Sequence, residues 1–286
     1  MAVVNTNIGA SVAQAALMRN ERALNTAMEQ LSTGKKINSA GDNASGLAIS
    51  TRLTSQIRGL DTAIRNANDA MSMVNTAEGA LDEITAMMQR MRELAVQSGT
   101  GTTAAADRTY LNAEYVALRN EIDRIADNTQ WNGRNILDGS AGASVGKSTV
   151  AFQVGVNQNQ TISTSFGNVN NTTGHMSALA STRLSAATIA SAVIVASNAI
   201  TQLDNTISDV SAQRATFGAI SNRLTHAVDN LTNVKTNTEA SRSRIMDTDY
   251  AAATSELART QIIQQAGTAM LAQANQLPQT VLALLQ

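Results

Sequence analysis

The sequence contains no cysteine, which excludes disulfides, thiolate catalysis and any cysteine-based metal site. Proline occurs once, at Pro278, so nothing interrupts long helices before the last few residues. Aromatic residues make up 2%, with Trp131 the sole tryptophan. Aromatics supply much of the buried area of an ordinary core, so this chain must bury apolar surface through small and aliphatic side chains in close-packed helices. Histidine occurs twice, at His175 and His226, far apart. Asp229 beside His226 makes at most half a metal site. No apolar run reaches the 18 residues or so of a membrane span. The balance of 21 basic and 22 acidic residues gives a formal net charge of −1. That charge argues against nucleic-acid binding and permits tight self-association. The opening "MAVVNTNIGASVAQAALMRN" lacks the basic start and apolar stretch of a secretory signal. The expectation is a cytoplasmic chain or one exported without a cleaved leader.

What is present is helical periodicity on both flanks. Residues 5–33 repeat Leu17, Leu24 and Leu31 at sevens, with Met28 between. The turn-rich "NSAGDNASG" (38–46) follows, where Asp42 or Asn43 can cap a second helix. In that helix Leu53, Ile57, Leu60, Ile64, Ala67, Met71 and Val74 alternate steps of four and three. The seam resumes one residue out of phase at Ala77, Leu81, Ile84, Met88, Met91 and Ala95, which predicts a stammer at Val74–Ala77. "SGTGTT" (98–103) ends it, and Leu111, Tyr115, Leu118, Ile122 and Ile125 stripe a shorter helix over 104–128. "DNTQWNGRNIL" (127–137) is a turn.

The middle of the chain differs. Nine of its 17 glycines fall in residues 99–174, and Ser148–Thr182 carries no formal charge, so loop and strand belong here. Val150, Phe152, Val154 and Val156, then Ile162, Thr164 and Phe166, alternate about "NQNQ", which predicts a β-hairpin. From about Ser177 the threes and fours return through Ile200, Leu203, Ile207, Val210, Phe217, Ile220, Leu224, Ala227, Leu231 and Val234. They pause at "RIMDTDY" (244–250) and continue with Leu257, Ile263, Met270, Ala274, Leu277, Val281 and Leu285. The expected fold is mainly α: a long antiparallel coiled-coil rod with one β-hairpin and paired N- and C-terminal helices. Apolar stripes at both termini need covering, which points to a rod that assembles.

One string suggests chemistry. "SAGASVGKST" (140–149) looks like a phosphate-binding loop, but Gly142 and Gly146 are separated by three residues where the motif needs four. A turn precedes it and a strand follows, the reverse of the strand–loop–helix order that aims a helix N-terminus at phosphate. Lys147 therefore serves solubility. The neighbouring carboxylates Asp82 and Glu83, and Glu121 and Asp123, are solvated helix faces, and Met71, Met88, Met91 and Met270 are core methionines. No catalytic, cofactor or metal site is expected, and the chain is not an enzyme.

"LSTGKKINSAGDNASGLAIS" (31–50), "GLDTAIRNANDAMSMVNTAEGALDEI" (59–84), "MQRMRELAVQS" (88–98), "EIDRIADNTQWNGRNIL" (121–137) and "NQLPQTVLALLQ" (275–286) closely resemble bacterial flagellin. The resemblance spans nearly the whole chain. It implies a structural subunit that polymerises with itself into the extracellular flagellar filament for swimming motility. Its partners in that picture are an export chaperone, a filament cap protein and hook–filament junction proteins. A hook–filament junction or other axial adaptor is the alternative. The resemblance divides the chain into an inner-core helix (1–40), an outer helical core with the hairpin (41–176), the returning helix of that core (177–243) and a second inner-core helix (244–286). The short junction "GNVNNTTGHMSALAST" (167–182) implies no separate outer domain. Gln89, Arg90, Glu93, Leu94 and Glu114 match the surface that joins subunits and that toll-like host receptors recognise. Leu282, Leu284 and Leu285 match the segment packed in the inner core and sensed by inflammasome receptors. No nucleic acid, membrane or cofactor is implied.

Overall fold

The computed structural model describes residues 7–141, 149–169, 182–184 and 188–283, with side chains as far as Asn275 and Gln276. Among these residues the order is α1 (Ile8–Thr33), α2 (Ala44–Ser98), α3 (Ala105–Asn128), β1 (Gln130–Trp131), β2 (Arg134–Asn135), β3 (Thr149–Gln153), β4 (Thr161–Ser165), α4 (Ile189–Met246) and α5 (Tyr250–Ala283). The glycines of the loop at 142–148, Lys147 and His175 lie outside the described residues.

Short polar segments set the helix ends. The Asn7 side chain accepts from the backbone N–H of Ala10 at 3.0 Å and caps α1. Gly34, at φ 70, ends it with its N–H on the Gln30 carbonyl. Asn43 caps α2 by accepting from the N–H of Gly46 at 2.8 Å. Asp42 instead closes the preceding turn, accepting from the N–H groups of Ser39 and Asn38. Those two bonds, Ser39 first, hold its carboxyl below the usual range. Asp249 accepts from the N–H of Ala251 at 3.0 Å where the chain pauses before α5. Helix α5 continues through Pro278.

The turn at 127–137 is itself a minimal ribbon. Asn132 and Gly133 take φ 51 and 76, the left-handed pair of a type I′ turn, and Trp131 pairs with Arg134. Strands β3 and β4 pair antiparallel with Val150 opposite Thr164 and Phe152 opposite Ile162. The expected alternation holds along β4 and just beyond it, where Ile162, Thr164 and Phe166 are buried; Val156, expected in the same stripe, lies past the end of β3 and is exposed.

The chain divides into two compact units, Met1–Arg58 with Thr236–Gln286, and Gly59–Lys235. The second, central unit holds a continuous apolar core from α2, α3, the hairpin and α4. Phe166 and Phe217 meet in it with ring centroids 5.2 Å apart. Its α2 seam corrects the sequence expectation. The buried seam runs through Ala63, Ala67, Ala70, Val74, Ala77, Leu81, Ile84, Met88, Met91 and Ala95 in unbroken steps of four and three, with Met73 and Leu94 buried beside it. Ile64 and Met71 are only partly buried. There is no stammer at Val74–Ala77; the extra three-step lies earlier, between Ile57, Leu60 and Ala63. Alanines occupy the seam because small side chains admit close helix approach, and counting large aliphatics placed the break wrongly. Helix α4 shows the same one-residue shift: Ala199 and Thr206 are buried, while Ile200 and Ile207 pack at the margin.

Among the described residues, ion pairs at three rungs fix the register of α2 against α4, the middle rung also bringing Glu78 to 3.9 Å from Arg214. Asp61 meets Lys235 at 2.6 Å, Asp82 meets Arg214 at 2.9 Å and Arg92 meets Asp204 at 2.6 Å. The intervals between rungs are equal on the two helices, as one antiparallel register requires. Arg92 lowers the pKa of Asp204 through a direct hydrogen bond. These side chains range from about one-third to two-thirds exposed, so solvent screens each pair and it specifies alignment more than it adds stability.

In the terminal unit, α1 and α5 run antiparallel. The N–H of Lys36 donates to the Met246 carbonyl at 2.6 Å and that of Thr248 to the Gly34 carbonyl at 3.0 Å. At the other end the Asn7 amide donates to the Ala274 carbonyl at 2.8 Å.

Candidate functional site: an assembly surface

The terminal pair is held by few buried side chains. Helix α1 buries only Asn20 and Ala27. On α5, the described side chains that are buried are Ala253 and Thr260. The Asn20 amide donates to the Thr260 carbonyl at 2.8 Å. Around this narrow seam large apolar side chains face outward: Ile8 is 62% exposed, Val12 61%, Ile262 66% and Met270 63%. Met18, Met28 and Ile263 add to them. Met270 is thus not a core methionine of the single chain, contrary to the sequence expectation. A stripe of this kind on a paired helix is costly to leave in water.

The central unit presents a different surface. Gln89, Arg90 and Glu93 lie on the exposed face of α2, and Glu114 faces them from α3. The Arg90 guanidinium donates to Glu114 at 2.9 Å and to Glu93 at 2.9 Å. Those bonds, Glu114 first, hold the guanidinium pKa above its usual value. Leu94 is fully buried, so it supports this surface from beneath and does not form part of it. A shallow depression of about 510 Å³ is lined by Gln89, Arg92, Glu93, Val96 and Gln97. It is open and lacks the convergent polar groups of a small-molecule site. The structure therefore brings Gln89, Arg90, Glu93 and Glu114 together. Leu282 lies in the last turn of α5, and Leu284 and Leu285 fall outside the described residues.

Two of the carboxylates that could suggest catalysis are engaged structurally. Asp82 serves Arg214, and Glu121 holds Arg124 at 2.5 Å. Among the described residues no three His, Cys, Asp or Glu groups gather as a metal site, and no helix is long and apolar enough to cross a membrane. Sequence reasoning missed Asn20 and Thr260. The signal was present: Ala13, Asn20 and Ala27 recur at sevens beside the leucines, as do Ala253, Thr260, Gly267 and Ala274.

Long helices paired through small residues, with apolar faces left uncovered on the terminal pair, define a subunit built to assemble with copies of itself. The comparisons with known proteins identify which. Residues 4–142 match the bacterial flagellin N-terminal helical region and residues 200–285 the bacterial flagellin C-terminal helical region. The chain is 44% identical to a flagellin of Halalkalibacterium halodurans over 284 residues, covering 99% of this chain and 100% of that one. It is 37% identical to flagellin A of Vibrio cholerae, covering 99% of each. That alignment runs over 376 positions against 286 residues here, so the relative carries internal residues that this chain lacks. The fold over 72% of the chain also matches a putative flagellar hook-associated protein from Vibrio parahaemolyticus, covering 100% of that chain, with a TM-score of 0.59 and 13% identity. The chain belongs to the bacterial flagellin family. It is a short-form structural subunit of the extracellular flagellar filament, which works by self-polymerisation and is not an enzyme.

Proposed function

We propose that polymerisation works through the terminal pair, with residues 1–40 and 244–286 forming the inner shell of the filament and residues 41–176 and 177–243 the shell around it. The observation that carries this reading is the outward apolar face of α1 and α5, which includes Ile8, Val12, Ile262 and Met270. Neighbouring copies supply the cover a lone subunit lacks, through head-to-tail contacts that repeat without closing a ring. On the central unit, Gln89, Arg90, Glu93 and Glu114 contact the adjacent subunit, with Leu94 as their packed support. Host flagellin receptors of the toll-like class recognise the same residues when they are free. Leu282, Leu284 and Leu285 pack in the inner shell and are the segment that cytosolic receptors sense. An export chaperone, a filament cap protein and hook–filament junction proteins complete the set of partners.

Deletion of residues 245–286 tests the mechanism. The truncated chain is expected to remain a soluble monomer whose central unit keeps its helicity, with no filaments by electron microscopy. Normal filaments from the truncated chain would refute assembly through paired termini. Polymerisation of the full chain alone also separates the filament subunit from a junction adaptor, which would not form long filaments under any salt condition.

A further inference from the structure

The α1–α5 seam poses a register problem. Ala13, Asn20 and Ala27 on one helix and Ala253, Thr260, Gly267 and Ala274 on the other each recur at sevens and are almost all small. A slip of one heptad would again set small residues against small residues, with little change in apolar burial. Packing by itself therefore selects among these alignments weakly. Two features break the degeneracy. Asn20, only 8% exposed, places its amide on the Thr260 carbonyl at 2.8 Å. At Gly267 a Cβ would meet the Leu17 Cδ2 at 2.6 Å and its Cγ at 3.1 Å, so the half-buried Leu17 side chain packs over bare backbone there and must turn aside for any larger residue.

We infer that Asn20 and the Leu17–Gly267 contact are the register determinants of the terminal pair, and that through register they set the alignment of the surface on which copies assemble. A buried amide in a helix seam costs stability compared with leucine but penalises every alignment in which it loses its partner. Here a one-heptad slip carries Asn20 away from the Thr260 carbonyl and drives Leu17 against the side chain of Thr260 or Ala274. Thr260 suits its place. Its own hydroxyl folds back onto the Glu256 carbonyl at 2.9 Å, which leaves a small, internally satisfied side chain beside the carbonyl that Asn20 uses. This inference rests on the reading that the termini pair during assembly.

The absence of native cysteine makes register directly readable. Ala27 and Ala253 are both buried and lie one heptad from Asn20 and Thr260 on either helix, so the antiparallel register set by the Asn20–Thr260 bond places them opposite each other. The full chain carrying Ala27→Cys and Ala253→Cys is polymerised and mildly oxidised, and its intrachain disulfide is quantified. High yield is expected. Adding Asn20→Leu should lower that yield at least about threefold while helicity is kept and thermal stability is equal or higher. Gly267→Ala should also lower the yield, and Leu17→Ala in that background should restore it by making room for the new methyl group. An unchanged yield with Asn20→Leu would overturn the inference. So would a yield that falls only together with helicity, because Asn20 would then be a plain stabilising residue. If the cysteine pair fails to link in the otherwise unaltered chain, the pairing reading fails first and this inference with it.

Discussion

The central and terminal units solve opposite problems. The central unit buries a continuous core in which Leu81, Ile84, Met88, Ile122, Phe166, Phe217 and Leu224 are all removed from water. The terminal unit pairs two long helices through Ala27, Ala253, Asn20 and Thr260 and leaves its large apolar side chains outside. One packs its large apolar side chains within the chain; the other leaves them in water. A subunit that must stay soluble before it polymerises needs this split, because a core complete within the monomer would leave nothing for neighbours to bury.

The sharpest way to break that contrast is the same truncation in each unit. Phe217→Ala removes a buried ring that packs on Phe166 and should destabilise the soluble subunit by about 3–5 kcal/mol. Ile262→Ala should change monomer stability by less than about 0.5 kcal/mol, since the side chain is mostly in water. Yet it should raise the concentration needed for polymerisation. Urea unfolding of the monomer and a sedimentation assay of filaments measure the two effects. Equal losses of monomer stability would erase the distinction between the units.

A smaller effect tests how dry the central core is. Tyr115 is fully buried and its hydroxyl has no hydrogen-bond partner. Burial pushes its pKa up to about 12 from an ordinary value of 10.0. The neutral phenol is thus the form that the fold accepts. The folded pKa is the higher one, so the contribution to stability is complete below pH 10 and declines as pH rises from about 10 through about 12. The full loss is about 2–3 kcal/mol. Tyr115→Phe should abolish that alkaline loss, and at neutral pH it should leave stability unchanged or raise it by about 1 kcal/mol, because an unpaired buried hydroxyl is removed. Alkaline unfolding followed by circular dichroism measures both. A retained alkaline slope in the phenylalanine variant would place the titrating group elsewhere.

Much of this organisation was legible in the residues because local chemistry fixed it. "NSAGDNASG" marked a cap at Asp42 or Asn43, "DNTQWNGRNIL" marked a turn, and alternation marked the hairpin. The helix breaks were marked by "SGTGTT" (98–103) and "RIMDTDY" (244–250). What escaped was the identity of the seam. Ile64 and Met71 drew the eye as large aliphatics, whereas Ala63, Ala67 and Ala70 are the buried positions. Periodicity gives the spacing of a buried stripe but not how closely its partner approaches, and close approach is what selects alanine over isoleucine. The same blindness hid Asn20, whose polarity argues for the surface until its partner carbonyl is seen. It also put Met270 inside, because an exposed apolar stripe has the same period in sequence as one covered by the chain itself.

The smallest effect separates close approach from free helix at single glycines. On α2, Gly79 has nothing within 4 Å of a built Cβ. Gly79→Ala should therefore stabilise the monomer by about 1 kcal/mol, the ordinary helix-interior difference between the two residues. In the terminal unit a Cβ on Gly267 would lie 2.6 Å from the Leu17 Cδ2, so the propensity gain there is opposed by the displacement of that side chain from the helix pair. Both substitutions add one methyl group to the middle of a long helix, and intrinsic propensity predicts the same sign for both. Thermal melts of the soluble monomer should show a gain for Gly79→Ala and no comparable gain for Gly267→Ala, with a loss of filament yield confined to the latter. A gain at both positions would mean that α1 and α5 do not approach closely in the free subunit. The contrast between a core packed within the chain and a seam packed only on assembly would then be sharper than this structure draws it.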